Sequence, residues 1–343
     1  METFINTKMV GVGPILPSRK NDNVPLVVRT NWDILADLAR VKRGDYIILH
    51  SKGLLKGVFE AESDPMIKKE DVSLFDGTGI SVKNWNEKLG EVNQTTSTYK
   101  WWIFIKPTES LYFKNSIKAE KVFDLIATRD IKSLPPRLRY EDKNKTVKGL
   151  LYQDFIQILK IFVNYSERVF PTMPSQSFHN LVPITFDYLA GDQYEKNLEA
   201  IIVNRIRTQS KILNVTTSID YVLNTVPLGY LKMADLLTWS IECLDDASFI
   251  KNPWIWEIKK EKIELGVFKD ELKKLVARSK WLKEWFNDNF KVTMAFVAKE
   301  YEQDILQYVS NITLPLEVAE EAIIIEYSGV GTNVQFSVIK RVT

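Results

Sequence analysis

The chain has 343 residues, 45% of them hydrophobic and 26% charged, with 46 basic against 44 acidic side chains and a net charge of +2. Such a composition excludes wholesale disorder and leaves room for two cores, and any affinity for nucleic acid must come from local clustering of charge. A single cysteine, Cys243, and two histidines, His50 and His179, exclude an internal disulfide framework and argue against a zinc centre.

Residues 1–23, broken by Gly11, Gly13, Pro14 and Pro17, read as an irregular lead-in. A strand is expected at 26–28, then a helix capped by Asn31 and running to Leu38. Gly44-Asp45 turns the chain into a strand at 46–50, and 54–62 alternates as another, with Gly57 at a bend. Residues 63–98 form a polar insertion, followed by strands at 100–106 and near 110–113 and a helix over 153–163. Prolines at 171, 174 and 183 mark a linker over 166–188, which separates a first domain, 1–165, from a second, 189–343.

The second domain opens with a helix over 193–208 and a strand over 215–224. An apolar strand interrupted by one acid, Asp235, covers 233–239, and a polar hairpin over 242–253 leads back into an apolar strand, 254–260, that carries Glu257-x-Lys259. A helix over 267–286, a strand at 292–298, a helix near 301–309 and a strand pair at 322–327 and 335–342 complete it. The fold class expected is α+β, a small barrel with helices followed by an α/β sandwich around a mixed sheet.

Residues two apart in a strand share a face, so Glu257 and Lys259 project together. Either charge buried alone costs several kcal/mol, so a hydrophobic strand carrying this pair needs a compensating partner such as a metal ion or a substrate phosphate. If the strands bearing Asp235 and Glu257 pair antiparallel, the two carboxylates meet. With Glu199, or Glu195 one turn away, on the leading helix, the constellation resembles the PD-(D/E)XK nuclease superfamily.

That resemblance implies phosphodiester hydrolysis with Mg²⁺ or Mn²⁺. Asp235, Glu257 and the Ile258 carbonyl would be the metal ligands, Lys259 would orient the attacking water or stabilise developing charge, and Glu199 would complete the catalytic set directly or through a water. A structural salt bridge of the acids with Lys259 or Lys232 stays open beside it. No Pro-Asp pair precedes the acidic strand, a departure from the usual signature.

The strand at 26–29, the helix from Asn31-Trp32, the turn Val41-Lys42-Arg43-Gly44-Asp45-Tyr46 and the strand from Trp102 to Pro107 resemble the PUA-like superfamily, and within it the EVE and related modified-base readers, over about residues 24–165. The resemblance implies a pocket for one base flipped out of the helix. Aromatic side chains would cover it at about 1–3 kcal/mol per stacked base. Trp32, Trp85 and Trp102 are the candidates, with core packing as the alternative for each.

Arg129, Lys132, Arg137 and Arg139 lie in the densest basic segment, 129–148, suited to a phosphate backbone or to water. The helix at 267–286 also carries Lys269, Lys273, Lys274, Arg278, Lys280 and Lys283, several of which could reach backbone phosphates, but the acids interleaved with them favour a solvated face slightly.

The expectation is a modification-dependent DNA endonuclease acting on double-stranded DNA, with a homodimer to cut both strands. Two alternatives remain: a binding protein that kept the fold and lost the reaction, and an RNA-directed nuclease or binder. No secretory leader pattern and no apolar run of membrane-spanning length is present, so a cytoplasmic protein without a membrane partner is expected.

Overall fold

A computed structural model of the chain describes residues 10–14, 27–30, 35–51, 54–68, 101–107, 111, 113–128, 130, 148–150, 152–168 and 181–183, then 195–212, 214–216, 218–228, 233–244, 247–286, 290–315, 319–329 and 333–343. It is mixed α and β, and its described residues divide into two compact units, those up to residue 183 in the first and those from residue 195 onward in the second. That division falls inside the stretch read as a linker.

In the first unit the strands are β1 (Val10–Pro14), β2 (Val27–Thr30), β3 (Tyr46–Ser51), β4 (Leu54–Ala61), β5 (Met66–Lys68), β6 (Trp101–Pro107), β7 (Ile117–Lys118), β8 (Lys148–Leu150) and β9 (Leu181–Pro183). The helices are α1 (Leu35–Arg40), α2 (Glu120–Ala127) and α3 (Tyr152–Tyr165). The sheet runs β8-β1-β3-β4-β6-β5-β9, with β2 branching from β6 and β7 from β4. Among the described residues this path does not close into a barrel, unlike the closed one expected; its ends, β8 and β9, each pair with a single neighbour.

The Gly44-Asp45 turn forms where expected. Asp45 N–H donates to Lys42 O at 3.0 Å, the Asp45 carboxylate accepts from Lys42 N–H at 2.8 Å, and Gly44 takes φ +89°, the region a type II turn requires at its third residue. The core beneath is built from Ile48, Leu55, Val58, Phe113, Ile117, Val122, Phe155, Ile158 and Phe162, with Phe113 stacked on Phe162 at 4.9 Å.

Three local expectations for this unit change. Residues 10–14, read as irregular, form β1, parallel to β3 and antiparallel to β8. Ladder hydrogen bonds on both edges hold the backbone extended even where glycines lower the strand propensity. The strand expected near 110–113 reduces to Phe113 in an isolated bridge to Arg168. Within the predicted linker, β9 pairs antiparallel with β5, because a segment without its own periodicity can still supply ladder groups to a sheet edge.

The second unit follows the order helix, three strands, helix, strand. Helix α4 (Glu195–Gln209) precedes the meander β10 (Tyr221–Pro227), β11 (Met233–Leu244) and β12 (Ala247–Ile258). Then come β13 (Lys262–Ile263), α5 (Leu265–Phe286), β14 (Val292–Ala298), β15 (Glu300–Tyr301), α6 (Gln303–Ser310), β16 (Ala319–Ser328) and β17 (Gln335–Val342). The main sheet is ordered β10-β11-β12-β14-β16-β17. It is mixed: the meander is antiparallel, β12, β14 and β16 run parallel, and β17 closes antiparallel.

Every residue of β14 is buried, as expected of an interior parallel strand covered on both faces. Helix α5 covers it with a stripe of Phe268, Leu272, Leu275, Ser279 and Leu282, and Phe268 meets Phe296 at 4.6 Å. Trp254 and Trp256 stack at 5.3 Å, and the Trp256 indole N–H donates to Thr238 Oγ1 at 2.9 Å, which satisfies the one polar atom that ring buries.

The hairpin expected over 242–253 is present as the far end of the β11–β12 ladder, which runs on from Ser240↔Lys251 to Leu244↔Ala247. The register slips between Thr238 and Ser240, so Asn252 and Pro253 stand opposite Trp239. Asn252 takes φ 49°, and Pro253 needs no hydrogen-bond partner for a missing N–H. Asn252-Pro253, at the end of the expected hairpin, is here a bulge.

Candidate active site

The meander brings the two acidic strands together. Leu236 pairs with Trp256, so Asp235 and Glu257 are the next opposed positions and share one face of the sheet. Beyond that pair a side chain takes over from the ladder: the Asp235 carboxylate Oδ2 accepts the Ile258 N–H at 2.7 Å. On its other edge β12 continues to pair with β14, and Lys259 N–H donates to Val297 O at 2.8 Å. The sheet thus fixes the backbone on both sides of Glu257.

Glu257 is buried and holds a cation at each oxygen. Lys259 Nζ donates to Oε1 at 2.5 Å, and Arg278 Nη1 of α5 donates to Oε2 at 2.8 Å. Burial pushes the Glu257 carboxyl up, but the Lys259 charge and hydrogen bond, then those of Arg278, outweigh it and hold the group below its ordinary value. Burial likewise pulls Lys259 down. Glu257, by charge and hydrogen bond, then Asp235 and Glu195, more than offset that and raise the ammonium above the usual lysine value. Both groups are therefore charged at neutral pH.

Asp235, Glu257, Ile258 and Lys259, all singled out from sequence, come together at one end of the β11–β12 pair. Helix α4 packs on β10 and β12 and contributes acids to this region. Its Glu195 is one of the charges acting on Lys259, while Glu199, the residue named from sequence, is buried within the same helix at 1% exposure.

Trp32, Trp85, Arg129, Lys132, Arg137 and Arg139 lie outside the described residues. Trp102 is in β6, its backbone paired with Arg29 and Met66; its side chain lies outside the description.

Sequence reasoning misses Arg278. Charge pattern groups it with the cations of a solvated helix face, yet it is only 2% exposed. The signal is its position: three residues after Leu275 and four before Leu282, it falls on the edge of the apolar stripe. An arginine there requires a buried counter-charge, and Glu257 is that charge.

The donors gathered here are carboxylate and carbonyl oxygens, the chemistry of a hard cation such as Mg²⁺ or Mn²⁺. Among the described residues no group of three or more His, Cys, Asp and Glu side chains is placed to hold a metal ion. A cation held by Asp235 and Glu257 would therefore draw on backbone oxygen, water and substrate phosphate for its remaining ligands, which Mg²⁺ sites commonly do. Among the described residues no helix is long and apolar enough to cross a membrane. Comparison with protein-family models, with curated proteins and with solved structures finds no match.

Proposed function

We propose that the second unit is a metal-dependent phosphodiester hydrolase of the PD-(D/E)XK type and that the chain is a modification-dependent DNA endonuclease. The observation that carries the reading is the side-by-side placement of Asp235 and Glu257 on adjacent strands, with Lys259 on the same face. The order of helix, three-stranded meander, helix and parallel strand supports it.

In this reading Asp235, Glu257 and the Ile258 carbonyl hold the cation, and the Glu257 carboxylate is kept ionised by its two basic partners. A bound Mg²⁺ or Mn²⁺ supplies Lewis-acid stabilisation of the phosphoryl charge and a more acidic water. Lys259 orients the attacking water and offsets charge on the phosphoryl oxygens. A water oxygen bonds to phosphorus and gives up a proton to solvent, the phosphorus–oxygen ester bond breaks, and the leaving oxygen takes a proton from solvent. The domain read from sequence over 1–165, as a PUA/EVE-like reader using Trp32, Trp85 and Trp102, would supply the address that backbone contacts do not carry. Arg129, Lys132, Arg137 and Arg139 would meet phosphates, and a homodimer would cut both strands.

The test is cleavage of a matched panel of unmodified, 5-methylcytosine, 5-hydroxymethylcytosine and N6-methyladenine duplexes with Mg²⁺ or Mn²⁺, for wild type and Lys259→Ala. Selective cutting of one modified duplex, lost in the variant, is expected. Cutting of every duplex would remove the reader and keep the nuclease.

One observation favours a second reading. Both oxygens of Glu257 are engaged by cations of the chain itself, as in a site that holds its fold without the reaction. That reading expects DNA binding with no cleavage and no divalent-ion affinity.

A further inference from the structure

We infer that Arg278 is the positioning residue of this site, anchoring Glu257 through Oε2 so that Oε1 is the oxygen a divalent cation takes over from Lys259. The inference rests on the metal-dependent reading above.

The two cations on Glu257 differ in how firmly they are held. The Arg278–Glu257 pair, at 2.8 Å, has side-chain exposures of 3% and 7%. Leu275, Ser279 and Leu282, all buried on the same stripe, lock the helix turn that carries the guanidinium. Lys259 lies just past the end of β12, its side chain 28% exposed, on a flexible four-carbon stem. Of the two, Lys259 is the one with a route to water. Its ammonium also sits where the charges of Glu257, Asp235 and Glu195 converge. The point most attractive to a divalent cation is thus occupied, in the free chain, by a cation able to leave.

Stability does not account for Arg278. Its Nε is buried without a hydrogen-bond partner, an orphan donor that costs about 1–3 kcal/mol. A well-packed apolar pair of similar volume is often as stable as a buried ion pair, or more so. What an apolar pair cannot do is hold one carboxylate oxygen while presenting the other. On leaving Oε1, Lys259 is free to turn toward a substrate phosphate, so cation binding and release of the lysine are one exchange.

The test is Mn²⁺ titration of the full 343-residue chain by calorimetry, with melting recorded alongside, for wild type, Arg278→Lys, Glu257→Asp and Lys262→Met. Arg278→Lys keeps the charge and loses the fork. Glu257→Asp leaves Arg278 in place and draws the carboxylate away, so it tests the same contact should the lysine variant fail to fold. Lys262, in an exposed pair with Glu300, is the control.

Mn²⁺ affinity is expected to fall about 10- to 100-fold in both site variants and to stay at the wild-type value in the control. Mn²⁺ is also expected to raise the rate at which an acylating reagent modifies Lys259. Wild-type affinity in Arg278→Lys or in Glu257→Asp would show that the arginine only packs, and an unchanged acylation rate would refute the exchange. A wild type that binds no Mn²⁺ overturns the metal-dependent reading itself, and this inference with it.

Discussion

Replacing Glu257 by glutamine removes the charge on which Lys259 and Arg278 converge while keeping the side chain's volume. Lys259, at 28% exposure, can turn to water; Arg278, at 3%, is left as a buried guanidinium without a counter-charge. Breaking a buried pair in this way costs about 3–5 kcal/mol. At about 2–4 °C per kcal/mol for a unit of this size, the second unit's transition should fall by about 6–20 °C at pH 7.

The pH dependence follows from the direction of each shift. The folded carboxyl of Glu257 titrates below its ordinary value of 4.5, so its stabilisation is fully present above that value and is lost as pH falls through the lower, folded value. Lys259, raised above its ordinary 10.5, contributes fully below that value and loses its contribution as pH rises through the higher, folded one. The gap between wild type and Glu257→Gln should therefore be full between these limits and narrow in acid.

Calorimetric unfolding of wild type, Glu257→Gln, Arg278→Met and the double variant measures all of this. The double variant should lose less than the sum of the singles by at least about 1 kcal/mol. Additive losses, or a single-variant loss under about 1 kcal/mol at pH 7, would refute the description of this pair as buried and mutually compensating.

Asp235→Asn retains an oxygen able to accept the Ile258 N–H, so stability should stay within about 1 kcal/mol of wild type while Mn²⁺ binding and cleavage drop at least about 100-fold, as read by melting and by a cleavage assay. Tyr301→Phe removes a buried hydroxyl whose single O–H is shared between the Phe296 and Ile325 carbonyls, at 2.9 and 3.0 Å; a loss of about 1–3 kcal/mol is expected in urea unfolding, with Mn²⁺ affinity unchanged. Gly329 has φ +81°, and a Cβ there would meet Asn333 O at 2.3 Å, so Gly329→Ala should cost at least about 1–2 kcal/mol in the same measurement, and a neutral result would refute that turn geometry.

Much of the second unit is legible in the order of its residues. The apolar runs at 233–239, 254–260 and 292–298 and the amphipathic stripe of α5 are period signals, which local sequence carries in full. Period two also predicts that Glu257 and Lys259 share a face, and they are in contact. Only pairing could decide what opposes them. The register Leu236↔Trp256 sets Asp235 beside Glu257, and the bulge at Asn252-Pro253 keeps the longer ladder in phase with that register. Likewise, β1 exists because β3 and β8 supply its hydrogen bonds from distant parts of the chain. Arg278 shows the same division. Its place on an apolar stripe is written in the sequence, but its counter-charge lies 21 residues away on another element, and a helix period carries no information about what packs against it. The sequence by itself determined the principal strands and helices of the second unit and where their charged exceptions fall; the tertiary structure alone decided which exceptions meet and which segments without their own periodicity, such as β1 and β9, become strands, because strand pairing, register and helix packing are properties of contacts between segments.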